Sequence, residues 1–154
     1  FTDFGNLVAS RQGSYSGIAS RTRGMFLTSD GQQYITMAST GNAVSFGSLA
    51  NGSTGTGASN ATRGLWMGCS GSKVDYITIA TTGTAREFGD ANVAETYLGC
   101  MASPTRALQG TGASSTNTIV YYNIATTGNY TDFGDQTAGR AQDTGTSNAH
   151  GGLG

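Results

Sequence analysis

Three stretches of this chain alternate apolar and hydroxyl-bearing residues and then stop at a glycine. They are Tyr34-Ile35-Thr36-Met37-Ala38-Ser39-Thr40-Gly41, Tyr76-Ile77-Thr78-Ile79-Ala80-Thr81-Thr82-Gly83 and Tyr121-Tyr122-Asn123-Ile124-Ala125-Thr126-Thr127-Gly128. Alternation bounded by a Thr-Gly turn marks a half-buried strand that runs into a reversal. Each stretch leads to a short strand closing on an aromatic-glycine corner, at Phe46-Gly47, Phe88-Gly89 and Phe133-Gly134. A fourth corner, Phe4-Gly5, precedes them all, so the corners are spaced 42, 42 and 45 residues apart. A shorter phrase follows the corners: Thr22-Arg23-Gly24, Thr62-Arg63-Gly64 and Thr105-Arg106-Ala107, with Ala149-His150-Gly151 in the fourth place.

A period of about 40 to 45 residues is the length of one four-stranded antiparallel unit. Read along the chain from Lys73, such a unit has strands over Lys73–Ala80 and Thr84–Gly89, a variable loop Asp90–Ala94, then strands Thr96–Met101 and Arg106–Gln109. Helical periodicity is absent, and glycine-rich punctuation about every ten residues is an all-β signal. The chain is therefore expected to be a single all-β repeat domain, with a partial unit at 1–31 and units at about 32–72, 73–115 and 116–154. Phe1-Thr2-Asp3-Phe4-Gly5 matches the tail phrase Tyr130-Thr131-Asp132-Phe133-Gly134, so the first unit reads as cut. One such sheet cannot bury both of its faces, so neighbouring sheets must cover it. Just under four units lies at the low edge of propeller blade numbers, and either the ring closes within the chain or another chain completes it.

Composition narrows the function classes. Charged residues make up 11% of the sequence, the formal net charge is −1, and Lys73 is the only lysine. Nucleic-acid binding calls for a basic patch, which seven arginines set among nine acids do not supply. No apolar run approaches the roughly 18 residues needed to span a membrane as a helix. Two cysteines, Cys69 and Cys100, fall in adjacent units, where a bridge and two separate small buried side chains are both open readings. Their spacing fits no zinc pattern, and His150 is the only histidine. No cofactor is expected.

The repeated positions carry the candidate chemistry. Arg23, Arg63 and Arg106 share one place in the repeat and would form a ring near one face of a radial fold. Such a ring can grip sulfated or carboxylated sugars, because the planar guanidinium suits those anions; the same arginines can instead bond carbonyls or a carboxylate of the next unit. Trp66 stands where Phe26 and Leu108 stand, and it is either a sugar platform or part of the core. Asp132 with Asp135, and Glu87 with Asp90, flank their corners at a spacing that allows calcium, but aspartates at tight turns commonly bond their own backbone. No metal site is adopted. No nucleophile elbow or separated carboxylate pair appears, so no catalytic residue is assigned and the chain is not expected to be an enzyme.

The phrase at Tyr76–Gly83, the Phe88-Gly89-Asp90 corner and the following Thr105-Arg106 resemble kelch-type β-propeller repeats. The Ala-Thr-Thr-Gly-Asn and Asp-Phe-Gly-Asp variants are similar to repeats in structural and tail-fibre-like proteins of tailed phages, notably those infecting cyanobacteria. The paired glycines that end a kelch strand appear here only at Gly151-Gly152. The resemblance implies an extracellular virion protein, an appendage or tail-fibre domain. Its partners would be other virion proteins, copies of itself, or a host surface glycan met by the loops Ser48–Ser59, Asp90–Glu95 and Asp135–Asn148. A purely structural decoration protein and a polysaccharide depolymerase are the alternatives.

Overall fold

The computed structural model describes residues 1–9, 17–28, 30–52, 54–93, 98–110, 116–139 and 144–145. Every regular element among them is a strand. The strands form three four-stranded antiparallel sheets, each a simple meander. Sheet 1 is β1 (Gly17–Ala19), β2 (Arg23–Thr28), β3 (Gly31–Thr36) and β4 (Val44–Gly47). Sheet 2 is β5 (Thr56–Ser59), β6 (Arg63–Cys69), β7 (Lys73–Thr78) and β8 (Arg86–Asp90). Sheet 3 is β9 (Cys100–Ala102), β10 (Arg106–Gln109), β11 (Thr118–Asn123) and β12 (Thr131–Asp135).

The all-β expectation and the recurring strands are met, but the phase of the repeat differs. The units read from sequence begin at the Tyr phrase, which is the third strand of each sheet rather than the first. Short connections join β2 to β3 and β6 to β7 as hydrogen-bonded neighbours. The chain crosses between sheets only after the aromatic-glycine corner. The strands read over Thr96–Met101 and Arg106–Gln109 accordingly belong to the next sheet, as β9 and β10, with Thr96 and Tyr97 outside the described residues. The register also moves Trp66. It pairs with Gly57 as Phe26 pairs with Gly17 and Gln109 with Cys100, so Gln109, not Leu108, shares its position.

The corner itself is a β-bulge. In each sheet the register slips by one between the third and fourth strands: Gln32 faces Gly47 and Gln33 faces Ser45, Val74 faces Gly89 and Asp75 faces Glu87, Ile119 faces Gly134 and Val120 faces Asp132. Phe46, Phe88 and Phe133 are the extra residues. A bulge bends its strand and re-aims the side chain it carries, and here each ring turns edge-on to the tyrosine of its own third strand. The Tyr34–Phe46, Tyr76–Phe88 and Tyr121–Phe133 centroids lie 6.1, 6.0 and 6.2 Å apart.

Sheet 2 is covered on both faces, which explains why β6 runs apolar without clean alternation. Trp66, Cys69, Ile77 and Ile79 pack with Ile18, Met25, Leu27 and Phe46 of sheet 1. Leu65, Met67, Val74 and Phe88 pack with Ala107, Val120, Tyr122 and Ile124 of sheet 3. At the inner edge the first strands lie beside one another. The Ser59 hydroxyl donates to the Ala19 carbonyl and accepts from the Ala19 amide, tying β5 to β1. These first strands border a hollow of about 490 Å³.

Candidate functional site: repeated arginine–tyrosine clefts

The three arginines occupy equivalent places at the start of β2, β6 and β10. Each guanidinium lies over the ring of the tyrosine in the adjacent third strand, at 4.4 Å for Arg23 on Tyr34 and 4.7 Å for both Arg63 on Tyr76 and Arg106 on Tyr121. Such stacking holds the planar group in place and leaves its edge free to donate. Arg23 Nη1 donates to the Ile79 carbonyl at 2.7 Å, and Arg63 Nη1 donates to the Ile124 and Ala125 carbonyls at 2.8 and 3.0 Å. All three acceptors lie where the third strand of the following sheet runs into its turn. Arg106 is exposed and reaches no carbonyl among the described residues. Of the two readings open for these arginines, bonding to carbonyls of the next unit therefore holds for Arg23 and Arg63.

Replacing Arg63 by alanine removes two charge-assisted hydrogen bonds and the stack on Tyr76. It is expected to cost roughly 1–3 kcal/mol of stability, read as a lowered urea midpoint. Arg106→Ala, which loses only the stack and is exposed, should cost less than about 1 kcal/mol. Equal losses would mean that the carbonyl bonds contribute nothing.

Beside the stacks of sheets 2 and 3 the chain leaves a cleft. One of about 350 Å³ is bordered by Phe46 of sheet 1 and by Arg63, Tyr76, Thr81, Thr82 and Arg86 of sheet 2. Its equivalent, about 430 Å³, is bordered by Phe88 of sheet 2 and by Arg106, Tyr121, Thr126, Thr127 and Asn129 of sheet 3. Both present threonine hydroxyls and a guanidinium next to an aromatic ring.

Trp66 is not part of any surface. It is fully buried, and its Nε1 donates to Gln32 Oε1 at 2.7 Å, while Gln32 Nε2 donates to the Ser48 carbonyl at 3.0 Å. Of its two readings the core one holds, because its position faces the neighbouring sheet. The carboxylates at the corners are engaged locally. Asp3 and Asp132 accept from the amides of Gly5 and Gly134 at 3.0 and 2.9 Å, the turn arrangement expected of aspartate. Glu87 and Asp90 both pair with Lys73, at 3.2 and 2.7 Å, and Asp90 foremost holds that ammonium above its usual range.

Sequence reasoning missed Asp75. It is buried in the middle of β7 and accepts from the amides of Ala50 and Asn51 at 2.8 and 2.9 Å and from Asn51 Nδ2 at 2.7 Å. Those three bonds satisfy the carboxylate oxygens away from water and fix the start of the loop read as Ser48–Ser59, whose end is strand β5. Gln33 stands in the same place in sheet 1 and accepts from the Val8 amide at 2.8 Å. For Asp75 the available signal was a carboxylate between Val74 and Tyr76 in a strand. The other two loops begin on the last residues of β8 and β12, and their segments 94–95, 140–143 and 146–148 lie outside the described residues, as does His150.

Both thiols are buried and free. Burial, and then the negative charge of Asp75 beside it, push the Cys69 thiol up to about 12, and burial alone raises Cys100. The fold thus favours the protonated thiol. Its contribution is present below the ordinary value of 9.0 and is lost as pH climbs through that range towards about 12. The native protein is expected to resist alkylation at neutral pH and to become reactive only when unfolded by urea, checked by counting modified thiols.

No family model and no curated protein matches this chain. Among solved structures, its fold is similar to the computationally designed Ika8 protein, with a TM-score of 0.56 at 12% identity. That match covers 90% of this chain and 41% of the designed one. At such identity the likeness concerns the fold alone.

Proposed function

We propose that the three sheets are blades of a kelch-like β-propeller and that the chain is a non-enzymatic virion structural protein, a tail-fibre or appendage domain that binds a host surface glycan. The observation that carries the binding half of this reading is the recurrence of one cleft on successive sheets, with aromatic, hydroxyl and guanidinium groups at the same places. A tyrosine ring beside hydroxyl donors and acceptors suits the apolar face and hydroxyl rim of a sugar, and a repeated cleft suits a repeating polymer. The virion assignment comes from the resemblance of the repeats to those of tailed-phage proteins. Variable polar loops on a repeat scaffold agree with recognition at a surface.

The test is binding of host capsule or lipopolysaccharide to the immobilised protein, with Thr127→Ala and Arg106→Ala beside the unaltered chain. Loss of retention with either substitution supports the reading. Retention unchanged by both overturns the cleft as the site, and release of reducing ends would favour a depolymerase instead. A purely structural role is the second reading, favoured by the bonding of Arg23 and Arg63 to neighbouring carbonyls.

A further inference from the structure

The contacts between sheets 1 and 2 and between sheets 2 and 3 are made from the same parts, and each end of the row carries one half of that contact. On its forward face a sheet offers an apolar residue from its first strand, a bulge phenylalanine with its glycine, and an arginine. On its rear face it offers a small residue after the arginine and the turn that ends the Tyr phrase. Between sheets 1 and 2, Ile18 lies over Gly64, so that a Cβ on Gly64 would strike it. Gly47 abuts Gly83, whose amide donates to the Phe46 carbonyl at 2.8 Å, and Arg23 reaches Ile79.

Among the described residues no following sheet covers the forward parts of sheet 3, although Met101 borders the same hollow as Gly24 and Met37 of sheet 1. Met101, the counterpart of Ile18, is 41% exposed where Ile18 is 4%. Phe133 is 53% exposed where Phe46 and Phe88 are 4% and 3%. Among the described residues, Gly134 has no atom within 4 Å of its Cβ position and Arg106 finds no carbonyl. The rear face of sheet 1 is its complement. Met37 is 50% exposed, against 1% and 0% for its counterparts Ile79 and Ile124, and the atoms nearest a Cβ on Gly24 belong to Ile35 and Met37 of its own sheet.

We infer that a second copy of this chain docks head to tail, the rear of its sheet 1 covering the forward face of sheet 3. Met101 then lies over the partner copy's Gly24, Phe133-Gly134 against its turn at 39–41, and Arg106 donates to the carbonyl of its Met37. The seat is partly held within one chain by Phe1–Asn6, since the Gly41 amide donates to the Phe4 carbonyl at 2.8 Å. Thr2-Asp3-Phe4-Gly5 has the sequence of Thr131-Asp132-Phe133-Gly134, so the incoming corner replaces an identical one. Gly145, pressed on the backbone of Cys100, holds the matching place beside β9 and yields to the incoming first strand. A contact between unlike faces propagates until it closes. Two copies give six sheets, inside the range of roughly four to eight blades in closed propellers. The inference stands on the sheet contacts and holds whether or not the clefts bind a glycan.

Sedimentation equilibrium of the full chain tests it. The mass should rise with concentration from 15.7 kDa to twice that value. Phe133→Asp and Met37→Asp, each at an exposed site and each checked by circular dichroism for an intact fold, should stay monomeric when alone. Mixed in equal amounts they should form a one-to-one pair, because one intact forward face then meets one intact rear face. A wild-type chain that remains a monomer even at millimolar concentration overturns the inference, as does a single variant that associates like the wild type. A mixture that stays monomeric beside an associating wild type points to contact between like faces and overturns it as well.

Discussion

Trp66→Ala is expected to lower the unfolding free energy by about 4–5 kcal/mol, the largest loss available from one side chain in this protein. The ring fills the space between sheets 1 and 2 with Ile18, Met25, Leu27 and Phe46 around it. Removing it leaves a cavity that β-sheets on either side cannot collapse into, because each is held in register by its own ladder. The substitution also strips the Gln32 carbonyl oxygen of its donor inside the core, a further cost of roughly 1 kcal/mol. Against a total of about 5–15 kcal/mol for a domain of this size, the variant should be partly unfolded at ambient temperature. Trp66→Phe keeps most of the volume and should cost only about half as much. Urea unfolding followed by circular dichroism measures both. A loss near 1 kcal/mol for the alanine variant would show that the ring is not a core element.

Gly47→Ala should be nearly as damaging, at roughly 3–5 kcal/mol, for two reasons that add. The bulge gives Gly47 a φ of +148°, a backbone conformation that L side chains resist. A methyl group there would also land on the Gly83 carbonyl of sheet 2 and lie 2.9 Å from the Thr84 nitrogen. Those are backbone atoms, so relief requires the two sheets to part. Gly134→Ala provides the control. Its φ is +139°, but no atom of the described residues stands within 4 Å of the new methyl, so only the conformational part remains, about 1–2 kcal/mol. Comparable losses for the two variants would mean that the sheets do not meet closely at the Gly47–Gly83 contact.

These two sites also show how far the chain can be read without coordinates. The equivalence of Tyr34, Tyr76 and Tyr121, and of Phe46, Phe88 and Phe133, is legible because each repeat needs the same edge-on ring pair to fill the same bend. The bulge that creates the bend is not legible, since it depends on which residue of the third strand faces which of the fourth. The arginines were found by their spacing, but their acceptors lie 56 to 62 positions away, in the next sheet. No local pattern encodes that distance. Asp75 was overlooked for the same reason: its three donors belong to the loop after the preceding sheet's corner.

Alternating strands, a period of about forty residues, glycine-ended turns and low charge are properties of neighbouring residues, so the sequence alone determined an all-β repeat chain and the equivalence of its tyrosines, corner phenylalanines and arginines. The phase of the sheets, the burial of Trp66, the attachment of Arg23 and Arg63 to the following turn and the unequal exposure of Phe46 and Phe133 were decided by tertiary structure. Identical residues acquire different surroundings according to whether another sheet lies in front of them, and that is set by packing between segments far apart in the chain.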